Sequence, residues 1–216
     1  MSIGTAEALK HLRRDPVLKA VIRQVGPCTL TVAKRQPYEA LVRAIAHQQV
    51  HGRAAEAILG RFIGCCCPDP GFPTPEQVLA LTPEAMRACG LSGNKVLAIR
   101  DIAEKAAAGM VPTRAAARRL SDEELVERLV PLRGVGRWTV EMLLIFTLGR
   151  PDILPVDDFG VREGYRVAAG MDEQPKPRAL AEIGTAWGPF RTTAAWYFWR
   201  AADLSKDGRF KAPKAI

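Results

Sequence analysis

No apolar stretch of this sequence is long and clean enough to cross a bilayer, and its first residues lack the apolar core of a secretory signal. A soluble intracellular chain is expected, with no membrane among its partners. Cysteine is sparse: five in 216 residues, at Cys28, in the run Cys65-Cys66-Cys67, and at Cys89. An odd count with three in a row makes a poor disulfide framework. Adjacent side chains do not readily converge on one ion either, so a metal-free protein is expected. Internal repeats and low-complexity tracts are absent, and only Cys28 to Arg35, with Thr29, Thr31 and Val32, suits an extended segment.

Positive charge and helical periodicity fill the rest. Lys and Arg outnumber Asp and Glu by 31 to 23, a formal net charge of +8, which favours a polyanionic partner. The local clusters Lys34-Arg35, Arg118-Arg119 and Lys206 to Lys214 each also suit a plain solvated surface. The length buries a core in one compact unit or in two small domains. Spacing predicts helices near 5–12, 16–24, 37–46, 52–63, 75–80, 83–88, 92–108, 122–130, 137–148, 158–168, 177–186 and 190–203. Asp15-Pro16 and Thr82-Pro83 read as N-cap and first-turn proline, and Thr74-Pro75-Glu76-Gln77 as a capping box. Pro68 to Pro75 reads as a loop. The fold class is all-α.

The densest signal is Leu132-Arg133-Gly134-Val135-Gly136-Arg137-Trp138-Thr139. Before it, Ser121-Asp122-Glu123-Glu124 matches a capping box, and Leu125, Leu129 and Val130 form one apolar stripe. After it, Val140, Leu143, Leu144 and Thr147 recur at helical spacing. Gly134 and Gly136 tolerate backbone angles closed to other residues and let another molecule approach the main chain. Amides of such a hairpin and of the following first turn converge on one spot suited to a phosphate. The same residues also suit an ordinary αα-turn in which glycine stops a helix. Further on, Leu154-Pro155-Val156-Asp157-Asp158-Phe159 delivers paired carboxylates to the next helix start, where they serve as caps or as acids for chemistry.

From Leu125 to Asp158 the chain resembles the helix-hairpin-helix superfamily of DNA glycosylases. More narrowly, Gly136-Arg137-Trp138-Thr139 and Pro155-Val156-Asp157-Asp158 are similar to the branch that removes alkylated bases, the 3-methyladenine DNA glycosylase II group. Tyr38 to Gly52, containing Ala46-His47-Gln48-Gln49-Val50-His51, resembles the family segment that pushes a side chain into the DNA stack. Arg191 to Trp199 resembles its C-terminal aromatic helix. The likeness spans roughly residues 15 to 205, with the blocks in family order.

The resemblance implies two small helical domains with a DNA-binding cleft between them, 1–35 plus 170–216 forming one and 36–169 the other. It implies Asp158 as the catalytic carboxylate, stabilising positive charge that develops on the deoxyribose, with Asp157 in support. Trp138 stands where superfamily members that also cut the backbone carry a lysine nucleophile, so simple hydrolysis is expected. Trp138 and Trp199 match the pocket aromatics, with Tyr38, Met142 and Phe146 as further lining; an indole face suits a flipped, N-alkylated, cationic purine. Trp187 and Trp196 are assigned to the core. Gln49 is the expected plug for the vacated stack and His51 a minor-groove contact; Gln48, Gln49 and His51 also suit a helix end. Lys95, after Leu91-Ser92-Gly93-Asn94, suits a phosphate contact, and Gly134, Gly136, Arg137 and Thr139 complete the DNA-binding set.

The iron–sulfur loop carried by some superfamily members is not expected here, since no cysteine follows Cys89. No cofactor is expected; a monovalent cation on the hairpin carbonyls is the one ion that relatives suggest. The implied activity is monofunctional excision of 3-methyladenine and 7-methylguanine from double-stranded DNA by a monomer, in cytoplasm or nucleoid if bacterial and in the nucleus if eukaryotic. The alternatives are a bifunctional glycosylase/lyase for oxidised bases and a non-catalytic helix-hairpin-helix DNA-binding module.

Overall fold

The computed structural model describes residues 3–67 and 71–210. The start of the Pro68–Pro75 loop (68–70) and the end of the Lys206–Lys214 cluster (211–214) lie outside them. The described residues form α-helices with one π and one 3-10 turn and no strand, so 28–35 is irregular chain. Chain order runs α1 (Ala6–Leu12), α2 (Pro16–Val25), α3 (Pro37–His47), α4 (Gly52–Cys66), α5 (Pro75–Ala80), α6 (Pro83–Ala88) and α7 (Gly93–Ala107). Then follow α8 (Arg114–Ala117), α9 (Asp122–Leu129), α10 (Arg137–Leu143), a π turn (Leu144–Leu148), α11 (Phe159–Ala169), α12 (Pro177–Ile183), a 3-10 turn (Gly184–Trp187) and α13 (Arg191–Lys206).

Local chemistry sets most helix starts. Thr74 and Gln77, and Ser121 and Glu124, make reciprocal capping boxes that satisfy first-turn amides. Asp15 Oδ1 accepts from the Val17 and Leu18 amides ahead of a first-turn proline. In α9 the buried residues are Leu125, Val126 and Leu129. Val130 leaves the predicted stripe: it is the C-cap and 40% exposed, because the chain turns away there.

The chain divides into two compact units, one of residues up to Val32 and from Leu144 onward, the other Ala33–Leu143. The second boundary falls well before the expected 170, and the reason is the α11–α13 contact. A Cβ on Gly164 of α11 would sit 1.8 Å from the Phe198 carbonyl oxygen of α13, so these backbones touch. Segment 144–169 therefore belongs with the C-terminal helix.

In the first unit α13 is flanked by α2 and α11. Leu18, Val21, Ile22, Val161, Trp187, Tyr197 and Phe198 fill the core. Trp187 and Trp196 are buried, as expected of core tryptophans. Two polar groups carried by this core find partners: Trp187 Nε1 donates to Asp15 Oδ2 at 2.8 Å and Tyr197 Oη to the Gly26 carbonyl at 2.8 Å. In the second unit α7 packs on α3, α5 and α6, and α10 packs on α3 and α9. Its interior includes Leu41, Ile45, Phe62, Met86, Ile99, Ile102, Leu129 and Val140.

Candidate functional site

In the second unit the hairpin between α9 and α10 is seated on α3 and α7. Gly134 has φ +77°, a left-handed angle that favours glycine, and its missing Cβ would lie 3.2 Å from Ile45 Cδ1 and 3.3 Å from Ala98 Cβ. Gly136 has no such angle, and a Cβ there would meet nothing of the protein within 4 Å. Its backbone faces open space, where an approaching molecule gains access. The Arg133 amide donates to Asp101 Oδ2 at 2.8 Å, and Gln48 Nε2 donates to the Gly134 carbonyl at 3.1 Å. Burial pushes the Asp101 carboxyl up, but its bonds from Lys105 and Arg133 outweigh this and hold it below the usual range.

The segment between α3 and α4 lies beside this hairpin. Gln49 has φ +55°, the one positive angle outside glycine among the described residues, and its side chain is exposed. His51 is the exposed N-cap of α4 and makes no side-chain capping bond. Lys95 Nζ donates to the Ala46 carbonyl at 2.8 Å, so the lysine is turned onto the end of α3, and burial lowers its pKa. A cavity of about 430 Å³ opens here between Gln48, Gln49, Ser92, Asn94, Lys95 and Arg133.

Arg137 is exposed and grips both oxygens of Glu123 at 2.9 to 3.3 Å, an ion pair open to solvent. Thr139 differs from its expected DNA-facing role: it is 4% exposed, its side chain packed inside the unit because helical spacing puts it on the inner face of α10. Trp138, one residue earlier, is 43% exposed, and Met142 is half-buried. Tyr38 stands edge-on to Phe72, ring centroids 6.0 Å apart, within this unit. Burial, then the nearby Cys66 and Glu76, push its phenol well above the ordinary range, and its hydroxyl has no hydrogen-bond partner.

In the first unit Asp158 is the N-cap of α11. Its Oδ1 accepts from the Val161 amide at 2.8 Å and from Trp199 Nε1 at 2.8 Å. The capping role expected of this carboxylate is therefore filled by Asp158. Trp199 in turn stacks on Phe146 of the π turn, centroids 5.6 Å apart and planes 28° from parallel. A Cβ on Gly160 would lie 2.8 Å from Trp199 Cδ1 and 3.2 Å from Asp158 Oδ1, so glycine makes room for this pair. Three of the expected site residues, Asp158, Trp199 and Phe146, are therefore gathered in one place. Gly160 and Asp101 carry no signal in the sequence, and Gln48 reads there only as part of a helix end, since each acts on a group distant along the chain. Phe159 is 65% exposed directly beside Asp158, and an apolar aromatic following the acid pair was its only signal.

Among the described residues no group of three or more His, Cys, Asp or Glu is placed to hold a metal ion, and no helix is long and apolar enough to cross a membrane. Cys65 and Cys89 approach to 3.4 Å between sulfurs as free thiols.

Residues 42–189 match the model of the HhH-GPD superfamily of base excision DNA repair proteins. The chain is 44% identical over 202 residues to DNA-3-methyladenine glycosylase 1 of Schizosaccharomyces pombe, covering 93% of this chain and 88% of that one. It is 36% identical over 204 residues to the alkylbase DNA glycosidase-like protein mag2 of the same yeast, covering 94% and 96%. Its structure resembles that of the S. pombe 3-methyladenine DNA glycosylase Mag1 in complex with abasic DNA, with TM-score 0.84, 42% identity, and coverage of 95% of this chain and 100% of that one. With the hairpin, the capped aspartate and these matches together, the chain belongs to the HhH-GPD superfamily of base excision DNA repair proteins.

Proposed function

We propose that the chain is a monofunctional DNA glycosylase that flips N-alkylated purines, 3-methyladenine and 7-methylguanine among them, out of double-stranded DNA and releases them by hydrolysis. The observation that carries this reading is the Asp158 carboxylate, whose Oδ1 is held by Trp199 and by the first turn of α11. Breaking the N-glycosidic bond sends its electron pair to the departing base and leaves positive charge on the deoxyribose. A preoriented carboxylate stabilises that charge and orients the water that adds to C1′. N-alkylation already makes the purine a cationic leaving group, so the site has no need to protonate it, and the exposed indole of Trp138 suits such a cation. Trp138, in the position after the hairpin, offers no nucleophile for a covalent sugar adduct. The likeness to a glycosylase solved with abasic DNA supports duplex DNA as the partner. The basic balance of the chain agrees.

The test is release of methylated bases from methylated duplex DNA by wild type and Asp158→Asn side by side, with binding to abasic-site DNA measured for both. Release by wild type alone, with abasic-site binding kept by the variant, is expected. Equal release would remove Asp158 from the reaction, and a borohydride-trapped adduct would favour the lyase alternative. Tight binding without release by either protein would favour the binding module.

A further inference from the structure

The expected plug, Gln49, sits on a turn whose placement is set by its neighbour. Gln48 ends α3, its own amide bonded back to the Ala44 carbonyl. Its side-chain amide reaches 86 residues along the chain to the Gly134 carbonyl, 3.1 Å away. A carbonyl acceptor requires the nitrogen end of the amide, so the orientation of this group is determined by chemistry. Gly134 is the hairpin residue with the left-handed angle, pressed against Ile45 of α3 and Ala98 of α7. On the other side the Arg133 amide is pinned by Asp101, and the end of α3 is pinned by Lys95 through Ala46. Between these braces Gln49 holds its φ of +55°, which a free turn would relax.

We propose that Gln48 is a positioning residue: its bond to the Gly134 carbonyl joins the turn carrying Gln49 and His51 to the hairpin, so that plug and phosphate-facing backbone engage DNA as one rigid piece. This rests on the glycosylase reading for what the piece does, but its geometry lies wholly within the second unit. Loss of the bond frees the turn to leave its strained conformation, and the plug then no longer arrives in register with the backbone held by the hairpin. The donor matters, not the size of the side chain. Gln48→Glu, equal in size, sets one acceptor against another, whereas Gln48→Lys keeps an N–H donor at similar reach.

The experiment compares wild type, Gln48→Ala, Gln48→Glu and Gln48→Lys by three readouts. These are the ratio of affinities for abasic-site and undamaged duplexes, the fluorescence of 2-aminopurine placed next to the abasic site, and the melting temperature. Gln48→Ala and Gln48→Glu are expected to lose about tenfold in the affinity ratio and most of the fluorescence change, at nearly wild-type melting temperature, while Gln48→Lys recovers most of both. A wild-type ratio in Gln48→Ala, or equal loss in Gln48→Ala and Gln48→Lys, overturns the proposal. Because no readout requires base release, an inactive wild type would refute the glycosylase reading and still leave this brace decided.

Discussion

Trp199 Nε1 and Asp158 Oδ1 lie 2.8 Å apart across 41 residues of chain, joining the last helix to the acid at the start of α11. The tryptophan has two tasks, since its ring also stacks on Phe146. Trp199→Phe keeps an aromatic face and removes only the donor. A hydrogen bond to a charged group contributes about 1.5–3 kcal/mol, so single-turnover excision of 7-methylguanine is expected to slow by about ten- to a hundredfold. Excision at the wild-type rate would mean that this bond does not hold the working geometry.

Two glycines of α11 are expected to respond differently to substitution. Gly160→Ala places a Cβ 2.8 Å from Trp199 Cδ1, so the indole has to move relative to Asp158 and Phe146 to admit it. Its expected effect is reduced excision with a small change in melting temperature. Gly164→Ala places a Cβ 1.8 Å from the Phe198 carbonyl, where only backbone separation relieves the clash. Overpacking of that kind is expected to cost about 3 kcal/mol or more in denaturant unfolding. Equal stability of the two variants would contradict the α11–α13 packing.

Asp152 accepts two charge-assisted bonds from the Arg191 side chain, at 2.7 Å each, and a third from the Arg191 amide. These bonds hold its carboxyl below the ordinary value of 3.8 despite burial. A carboxyl depressed in the folded state contributes stability that is fully present above its unfolded pKa and is lost as pH falls through the folded one. The stability difference between wild type and Asp152→Asn is therefore expected to be constant above about pH 5 and to shrink below about pH 4. Thermal melts across that range check it; a gap that persists undiminished in acid would argue against the pair.

The thiols should react unequally. Burial, then the neighbouring cysteines, push Cys66 up to about 12, and burial with the Cys65 contact pushes Cys89 up to about 11. Thiolate is the reactive form, so a thiol reagent at neutral pH should modify the exposed Cys65 first and leave Cys66 and Cys89 slow. Peptide mapping of the labelled protein reads the order, and early modification of Cys89 would refute it.

Helix positions were legible because their causes are local. The Ser121–Glu124 and Thr74–Gln77 boxes and the Asp15-Pro16 start each lie within four consecutive residues. Helix α8 is not legible in the sequence because four residues, Arg114–Ala117, are too few to show a period, although Thr113 caps it. The inward direction of Thr139 was not legible, because a motif names a residue type without its facing direction. Nothing in the sequence distinguishes Tyr38 from Phe146 as a pocket candidate, yet one ring meets Phe72 and the other Trp199.

Sequence alone determined the all-α class, the hairpin, the capped aspartate and the family, since each depends on contiguous residues whose conformational preferences act at short range. Tertiary structure decided which distant groups share an atom. Trp199 came to Asp158, Gln48 to Gly134, and segment 144–169 to the C-terminal helix. Such pairings depend on how helices pack, and packing turns on a clearance as small as the missing Cβ of Gly164, which no local preference encodes.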